Sequence, residues 1–264
     1  MSFAALVLAG NRPSTCDVAA LGGVSHKAVL PIAGTPMIER VIDTIARVPR
    51  IAKVGIAIEE PDLLRSVSGL FKHLESGFVH PIAAKPTPAQ SALHGFEHLT
   101  TETGLPVILT TADNCLMTPE ILSYFLDHLP EGADLTAALA VTDEVVSAYP
   151  DVRRTRLKFR DGQKSGCNLF ACQTPKARNV IEFWRKVEDD RKKPLAMLGH
   201  LGYLTALRYL SNQLTLGHAL QQLERRTQTK LATVKMPDPV AAIDVDTRED
   251  FYLAERILLA RQSD

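Results

Sequence analysis

The chain has 264 residues, enough for one large α/β domain or two small ones with a sizeable buried core. Its 30 basic and 30 acidic residues cancel, so no general electrostatic attraction draws it to nucleic acid or to an anionic membrane. A local cluster of charges must therefore hold any polyanion, which favours a small-molecule ligand over a nucleic acid.

Short apolar runs rich in Val, Ile, Leu and Ala alternate with amphipathic stretches, a pattern typical of βα units on a largely parallel sheet. The predicted strands cover residues 3–9, 53–58, 78–83, 106–112, 134–141, 154–160, 167–172 and 230–236. The predicted helices between the early strands cover residues 36–47, 61–73, 88–99 and 118–128. Polar and apolar residues alternate over 153–160, which predicts a half-exposed antiparallel strand in this α/β arrangement.

The sequence shows no boundary between domains. Residues 174–226 have a mostly helical pattern in which basic and aromatic side chains are mixed. No Pro-, Gly- or Ser-rich linker, internal repeat or low-complexity tract interrupts the sequence. We therefore predict a single domain over residues 1–264, with a helical elaboration at about 174–226.

The four cysteines, Cys16, Cys115, Cys167 and Cys172, form no CxxC pair and no dense disulfide pattern. They predict a reducing, cytoplasmic location, and Cys115 is interpreted as a small buried thiol rather than a nucleophile. The eight histidines have no ligand spacing such as HExxH, so no metal is assigned to them. No basic region precedes the first apolar stretch, and no apolar run approaches the ~20 residues of a transmembrane helix. A soluble protein is the expectation.

The first candidate site lies where the first predicted strand opens into a polar loop. Gly10 ends that strand and allows a tight turn, so the amide groups that follow can point at a phosphate. Arg12 and Lys27 could then neutralise a triphosphate at the carboxyl edge of the sheet, where open α/β sheets bind ligands. The alternative is a solvated loop whose basic side chains face water. The acidic segments around Asp113 and around Asp244 and Asp246 argue against this alternative.

The second candidate is Asp113, which follows the apolar run 107–112 and so lies at the same edge of the sheet. A hard cation such as Mg2+ binds a carboxylate there together with substrate phosphates. An aspartate can also cap a helix, but Thr118 followed by Pro119 is a better helix start. Asp113 is therefore a candidate metal ligand.

The third candidate is the pair Asp244 and Asp246, whose i and i+2 positions put both carboxylates on one side of an extended segment. Adjacent carboxylates repel each other unless a cation lies beside them, so at least one is a candidate metal ligand. The competing interpretation is a helix cap, with Asp246 or Thr247 as N-cap and Glu249 or Asp250 in the first turn.

Together these segments resemble the nucleotidyltransferase superfamily with a glycosyltransferase-A-like fold, and within it the MobA-like nucleotidyltransferases. That family begins with a strand and a pattern close to L-A-G-G-x-x-x-R-M-G, followed by K-x-L-x-x-x-x-G-x-P. Its middle strand ends in an aspartate followed by a P-x-x-x-x-P-like stretch, and a late segment has the pattern D/N-x-D/N-T-x-E-D. The corresponding residues here are Leu8, Ala9, Gly10, Lys27, Leu30, Gly34, Pro36, Asp113, Pro119 and the segment Asp244–Asp250. Asn11 replaces the second glycine, and a longer loop from Pro13 to His26 stands where R-M-G is missing, which makes Arg12 the candidate for the family arginine.

The resemblance implies a Rossmann-like three-layer α/β/α fold around a mixed, mostly parallel sheet. The implied nucleotide contacts are Ala9, Gly10, Asn11 and, for the base, Gln90 or Ser91, and the implied acceptor contacts are Gly166 and Asn168. Gln90 and Ser91 could instead only solvate the first turn of their helix. Gly166 could equally be the site of a bulge in an ordinary strand.

The implied reaction transfers a nucleoside monophosphate from an NTP to a phosphorylated acceptor, small-molecule or lipid-linked, and releases pyrophosphate. CTP or GTP is the expected donor, with a slight preference for CTP. Mg2+ would be held by Asp113 with Asp246 or Asp244, while Lys27 and Arg12 stabilise the leaving group. The basic helices at 180–226 could bind an anionic acceptor or the second subunit of a homodimer.

Two other functions stay open at this point. A glycosyltransferase of the same fold would use a nucleotide sugar and a D-x-D motif, but Asp113-Asn114-Cys115 lacks the second aspartate and Lys27 would have no task. A non-catalytic nucleotide-binding protein is the other alternative, because the R-M-G pattern is missing.

Overall fold

The computed structural model describes residues 1–11, 16–150, 157–188, 200 and 202–263. Its strands are β1 Phe3–Leu8, β2 Pro31–Ile32, β3 Thr35–Pro36, β4 Ile51–Ile58, β5 Val79–Ala83, β6 Val107–Thr111, β7 Leu135–Val141, β8 Leu157–Phe159, β9 Gly162–Cys172 and β10 Leu231–Lys235. Its helices are α1 Cys16–Ala19, α2 Met37–Ala46, α3 Asp62–Arg65, α4 Phe71–Glu75, α5 Pro88–Thr103, α6 Pro119–Asp127, α7 Thr142–Ala148, α8 Ala177–Val187, α9 Tyr203–Leu210, α10 Leu216–Thr227 and α11 Arg248–Ser263. Single 3-10 turns cover Ala20–Gly22, Lys27–Val29, Ser68–Leu70 and Pro239–Ala242.

Within the described ranges, eight strands form one mixed sheet in the order β10-β7-β9-β6-β1-β4-β5, and β8 pairs with β9. β9 runs antiparallel to β6, β7 and β8, while the other neighbouring pairs are parallel. β2 and β3 form a separate antiparallel ribbon. The predicted mixed, mostly parallel sheet is therefore confirmed.

Helices cover the sheet on both faces, and the central strand β1 is buried along its whole length. Consecutive side chains of a strand point to opposite faces. Accordingly, Phe3, Ala5 and Val7 pack in one apolar cluster with α2, α6 and α11. Ala4, Leu6 and Leu8 pack in a second cluster with α5 and α8. This arrangement is the predicted three-layer α/β/α fold.

Helix α5 packs closely against β1 at Gly95. A Cβ atom at Gly95 would lie 2.5 Å from Cδ1 and 2.7 Å from Cδ2 of Leu6, so a side chain there would push the helix away from the sheet. The N-terminal turn of α5 carries Gln90 and Ser91. This close contact therefore helps to fix where those two residues lie.

Six predicted strands agree with the structure to within two residues at each end, namely β1, β4, β5, β6, β7 and β10. The strand predicted at 167–172 begins five residues earlier, at Gly162. Of the strand predicted at 154–160, residues 157–159 form β8, which is antiparallel as expected, and 154–156 lie outside the described residues. The predicted helices 36–47, 88–99 and 118–128 correspond to α2, α5 and α6.

The single helix predicted over 61–73 is wrong. The segment is broken into α3, the 3-10 turn Ser68–Leu70 and α4, with buried Val67 in an extended conformation at φ −92° and ψ 103°. A β-branched residue between two serines and ahead of Gly69 has low helix propensity, so burial of Val67 decides the local backbone. Helix α7 had no counterpart among the predicted elements.

The predicted helical segment 174–226 contains α8, α9 and α10, with residues 189–199 and 201 outside the described part. Among the helices of the described residues, none combines the length and the apolar character that crossing a bilayer requires.

Candidate active site

Lys27 lies between two of the predicted metal ligands at the carboxyl edge of the sheet. Its Nζ donates to Asp113 Oδ2 and to Asp246 Oδ1, each at 2.7 Å. The Lys27 side chain is only 8% exposed, against 19% for Asp113 and 58% for Asp246. Burial opposes the charge on Lys27, but the two carboxylates outweigh it and the pKa of the ammonium is raised. Lys27 is therefore a fixed positive charge at neutral pH.

The position of Lys27 is set by a short turn. Lys27–Val29 is a 3-10 turn whose N-cap is His26, and the buried His26 ring accepts from the Ala28 amide through Nδ1 at 3.1 Å. Leu30, which follows, is fully buried in the core. The turn thus anchors the lysine backbone on both sides and directs its side chain toward the aspartates.

The two aspartates come from distant parts of the chain and are joined through the backbone. Asp113 lies two residues beyond β6, and Thr111 Oγ1 donates to its Oδ1 atom. The Val245 amide donates to the Asp113 carbonyl at 3.2 Å, which holds the segment around Asp246 beside it. The predicted meeting of the second and third candidate segments is thus observed.

A capping box begins α11, and it is formed by the residues after Asp246. Thr247 Oγ1 accepts from the Asp250 amide at 3.2 Å, and Asp250 Oδ2 accepts from the amides of Thr247 and Asp246 at 2.9 and 3.2 Å. The capping role considered for Asp246 falls to Thr247 and Asp250. The Asp246 carboxylate instead binds Lys27.

Asp244 has a different contact from Asp246. Asn168 Nδ2 donates to Asp244 Oδ2 at 2.6 Å. Asn168 lies where β9 bulges against β7 and has φ of 47°, a left-handed conformation that asparagine tolerates better than most residues. Gly166 lies just before this bulge, is exposed and has open space where a Cβ would be. A bulge was considered at Gly166 from the sequence, and the structure places it in the residues that follow Gly166.

Asn11, which follows β1, makes hydrogen bonds through both its side chain and its backbone. Its Nδ2 donates to the Ser25 carbonyl at 3.1 Å, and its amide donates to Glu59 Oε1 and Oε2 at 3.1 and 3.2 Å. A Cβ at the neighbouring Gly10 would lie 3.2 Å from Glu59 Oε1. Ala9 is buried and continues the sheet through its amide, which donates to the Ala57 carbonyl at 2.9 Å. Arg12 lies outside the described residues.

Glu59 was missed by sequence reasoning, although it directly follows β4. The rule that parallel strands bring their carboxyl ends to one edge could have found it. Asn114 was also missed: this buried side chain donates to the Cys167 carbonyl at 3.2 Å and ties the Asp113 turn to β9.

Cys115 is buried, and burial raises the pKa of its thiol to about 12, in line with its interpretation as a small buried thiol.

The start of α5 is organised by Thr87 and Ser91. Thr87 Oγ1 accepts from the Gln90 amide at 3.3 Å as the N-cap. Ser91 is buried, and its Oγ accepts from the Lys85 amide at 2.8 Å and donates to the Lys85 carbonyl at 3.2 Å. Simple solvation of the first turn is therefore wrong for Ser91, which holds the preceding loop in place.

The donor set around Lys27 fits a divalent cation. The carboxylate oxygens of Asp113 and Asp246 already converge on one positive charge, and Mg2+ prefers such hard oxygen ligands. A metal ion there would have to take over contacts that the Lys27 ammonium now makes.

The sheet order, the helices on both faces and the basic and acidic groups at the carboxyl ends of β1 and β6 define an α/β nucleotidyltransferase with a glycosyltransferase-A-like fold. The family model of MobA-like NTP transferase domains matches residues 5–227. The chain belongs to this family, which confirms the predicted nucleotidyltransferase class. Asp244 and Asp246 lie beyond the matched range, so the family model does not bear on their assignment.

Solved structures resemble the chain over nearly its whole length. A hypothetical transferase from Thermus thermophilus is 25% identical, with a TM-score of 0.74 over 95% of this chain and 100% of the other. A 4-diphosphocytidyl-2C-methyl-D-erythritol synthase from Anaerococcus prevotii is 14% identical, with a TM-score of 0.58 over 98% and 96% of the two chains. A CMP:2-keto-3-deoxy-manno-octonic acid synthetase complexed with CTP is 12% identical, with a TM-score of 0.59 over 99% and 100%. The last two support the fold alone.

A curated relative, the 2-C-methyl-D-erythritol 4-phosphate cytidylyltransferase of Gloeobacter violaceus, is 27% identical over 161 residues. The match covers 61% of this chain and 66% of the relative, so the chain spans just under two thirds of that protein's length.

Proposed function

We propose that the chain transfers a nucleoside monophosphate from an NTP to a phosphorylated acceptor and releases pyrophosphate. The observation that carries the proposal is the buried Lys27 ammonium between Asp113 and Asp246 at the sheet edge where this fold binds ligands. CTP is the proposed donor in preference to GTP, because the curated relative is named as a cytidylyltransferase.

The positive and negative groups of this site have different roles in the proposed reaction. The carboxylates of Asp113 and Asp246 would hold Mg2+, which supplies charge neutralisation at the reacting phosphates. An ammonium has three N–H donors, so Lys27 can keep one carboxylate and still donate to a phosphate oxygen. An oxygen of the acceptor phosphate forms the new bond to the α-phosphorus while the bond to the pyrophosphate oxygen breaks. Lys27, together with Arg12, would stabilise the negative charge that builds on this leaving group.

The loop after β1 is suited to bind an anion. The Asn11 amide already donates to a carboxylate, that of Glu59, so this backbone group is oriented toward negative charge. We propose that Ala9, Gly10 and Asn11 contact the nucleotide phosphates and that Gln90 or Ser91 lies near the base. Glu59 must then give up its bond to the Asn11 amide when a phosphate binds.

The acceptor side is proposed to lie at the β9 bulge. Asn168 and Asp244 present polar groups there, and Gly166 leaves open space beside them. An acceptor phosphate placed here would lie beside Asp244, two residues before Asp246 in the chain. The acceptor can be a small molecule or a lipid-linked phosphate.

We further propose that residues 1–264 act as one nucleotidyltransferase unit in the cytoplasm. The free, buried thiols of Cys115, Cys167 and Cys172 support a reducing compartment. Size-exclusion chromatography with light scattering would decide between a monomer and the homodimer considered from the sequence.

The proposed reaction is tested by pyrophosphate release from CTP or GTP with a panel of phosphorylated acceptors. Wild type should release pyrophosphate with one donor and one acceptor class, and Asp113→Asn should lose this activity. Asp127→Asn is the matched control, because Asp127 is an exposed aspartate paired with Arg50. Nucleotide binding without pyrophosphate release from any acceptor would favour a non-catalytic nucleotide-binding protein. Hydrolysis or transfer from a nucleotide sugar would favour a glycosyltransferase.

A further inference from the structure

A histidine and glutamate cluster lies on the outer side of α5 and the edge strand β5. His80 is on β5, while His98 and Glu102 lie one turn apart on α5. One ligand atom from each of the three lies within 4.8 Å of the others. On α5, His98 and Glu102 lie seven and eleven residues beyond Ser91, which places them about 10 Å and about 16 Å along the helix from the proposed nucleotide site.

The spacing of these atoms fits a tetrahedral metal ion. His80 Nε2 lies 3.5 Å from Glu102 Oε2, and His98 Nε2 lies 3.7 Å from the same oxygen. Two ligands of a tetrahedral Zn2+ with bonds of about 2.0–2.1 Å are about 3.3 Å apart. Movements of a few tenths of an ångström would therefore bring Glu102 Oε2 to that spacing from each of the two imidazole nitrogens.

The ring nitrogens of His80 are available to bind a metal ion. Both of its ring nitrogens are buried and have no hydrogen-bond partner, an unfavourable state for a polar group. Burial lowers the pKa of His80, although Glu102 opposes this effect, and the neutral imidazole is the form that binds a metal ion.

Lys53 is the main competitor for this site. Its ammonium pairs with Glu102 Oε1, which leaves Oε2 facing the two imidazoles. His94 and Glu97 lie on the same side of α5, one helical turn before His98 and Thr101, and Glu97 is paired with Arg178. The set contains two nitrogens and one oxygen, which suits Zn2+ and related transition metals and not Mg2+.

We propose that His80, His98 and Glu102 bind one divalent transition-metal ion of the Zn2+ type, with water completing the coordination. This site would link the edge strand β5 to α5 and would be independent of the proposed nucleotide site. Sequence spacing did not reveal it, because His80 comes from a different element than the i, i+4 pair on the helix.

The experiment titrates Zn2+ into the untagged, chelator-treated full chain without nucleotide, by calorimetry, and repeats it with Co2+ to record the visible absorption of a tetrahedral ion. One equivalent should bind, and His98→Ala and Glu102→Gln should each weaken binding at least about tenfold. Both positions are partly exposed on a helix, so these variants should fold. Lys53→Met should tighten binding, because it frees Glu102 from its ammonium partner.

Two controls separate this site from other metal-binding groups. His128→Ala removes an imidazole outside the cluster and should leave the affinity unchanged, and Asp113→Asn should do the same. The proposal is overturned if Zn2+ does not bind, if His98→Ala and Glu102→Gln bind as wild type does, or if Asp113→Asn abolishes binding. Because no nucleotide is present, this outcome does not depend on whether the proposed transferase activity is correct.

Discussion

Replacing Lys27 by methionine removes the ammonium that joins Asp113 and Asp246 at 2.7 Å each. Breaking a fully buried ion pair by removing one partner typically costs about 3–5 kcal/mol. Asp246 is 58% exposed and Asp113 19%, so water screens part of the resulting repulsion. We expect the free energy of unfolding to fall by about 2–3 kcal/mol at pH 7 without divalent cations.

Urea unfolding measures this loss, with Lys235→Met as the matched control. Lys235 pairs with Glu144 at the same 2.7 Å, but both side chains are largely exposed, so its removal should cost no more than about 1 kcal/mol. The pKa of Lys27 is raised above its ordinary value of 10.5. Its contribution is therefore complete below about pH 10.5 and is lost as the pH rises through the higher folded-state pKa. The difference between wild type and Lys27→Met should be constant near neutral pH and shrink only in strong alkali.

Lys27→Met should also bind a divalent cation more tightly than wild type in the absence of nucleotide. In wild type the cation must displace an ammonium that makes two charge-assisted hydrogen bonds, each worth about 1.5–3 kcal/mol. Removing even one such bond corresponds to about a tenfold gain in affinity, measurable with Mn2+ by electron paramagnetic resonance. If Lys27→Met bound Mn2+ no tighter and were as stable as wild type, the two carboxylates would not form a cation site closed by Lys27.

Gly95→Ala should lower the free energy of unfolding by about 1–3 kcal/mol, because its methyl group would meet a buried leucine of β1; unchanged urea unfolding would contradict the close packing of α5. Asn168→Gly keeps the left-handed backbone but removes the bond to Asp244, so KM for the acceptor should rise about threefold to tenfold while calorimetric CTP binding stays constant. A change in CTP binding instead would move Asn168 to the nucleotide side. Glu59→Gln should strengthen CTP binding about fivefold, because one negative charge near the phosphates is removed. Weaker binding would mean that the Glu59 charge is needed to hold the loop.

The sheet and the main acidic cluster could be predicted because they depend on local patterns and one general rule. Apolar runs located six strands to within two residues. The carboxyl ends of parallel strands share one edge, so Lys27 and Asp113 were expected near each other before any contact was known. Charge repulsion within the third segment predicted that Asp244 or Asp246 binds a cation, and the contact with Lys27 then distinguishes Asp246.

The remaining features depend on contacts that the sequence does not encode locally. Burial of Val67 decides the backbone of a segment with low helix propensity, and burial of Ser91 turns a residue expected to be solvated into a support for the Lys85 loop. Glu59 reaches the loop after β1 across 48 residues. The pairing of His80 with Glu102 likewise requires the register of β5 against α5, which no spacing within one segment reveals.

Calorimetric titration of CTP, with and without Mg2+, against wild type and Asp113→Asn would test most directly whether the Lys27 cluster is a metal-nucleotide site. We expect saturable binding to wild type that is strengthened by Mg2+, and in Asp113→Asn a weaker binding that no longer responds to Mg2+. Nucleotide bound at saturation should stabilise wild type by about 2.7 kcal/mol at a hundred times the dissociation constant. Binding of equal strength to both proteins, or no binding of CTP or GTP to wild type, would contradict the assignment of Asp113 and Lys27 to nucleotide chemistry.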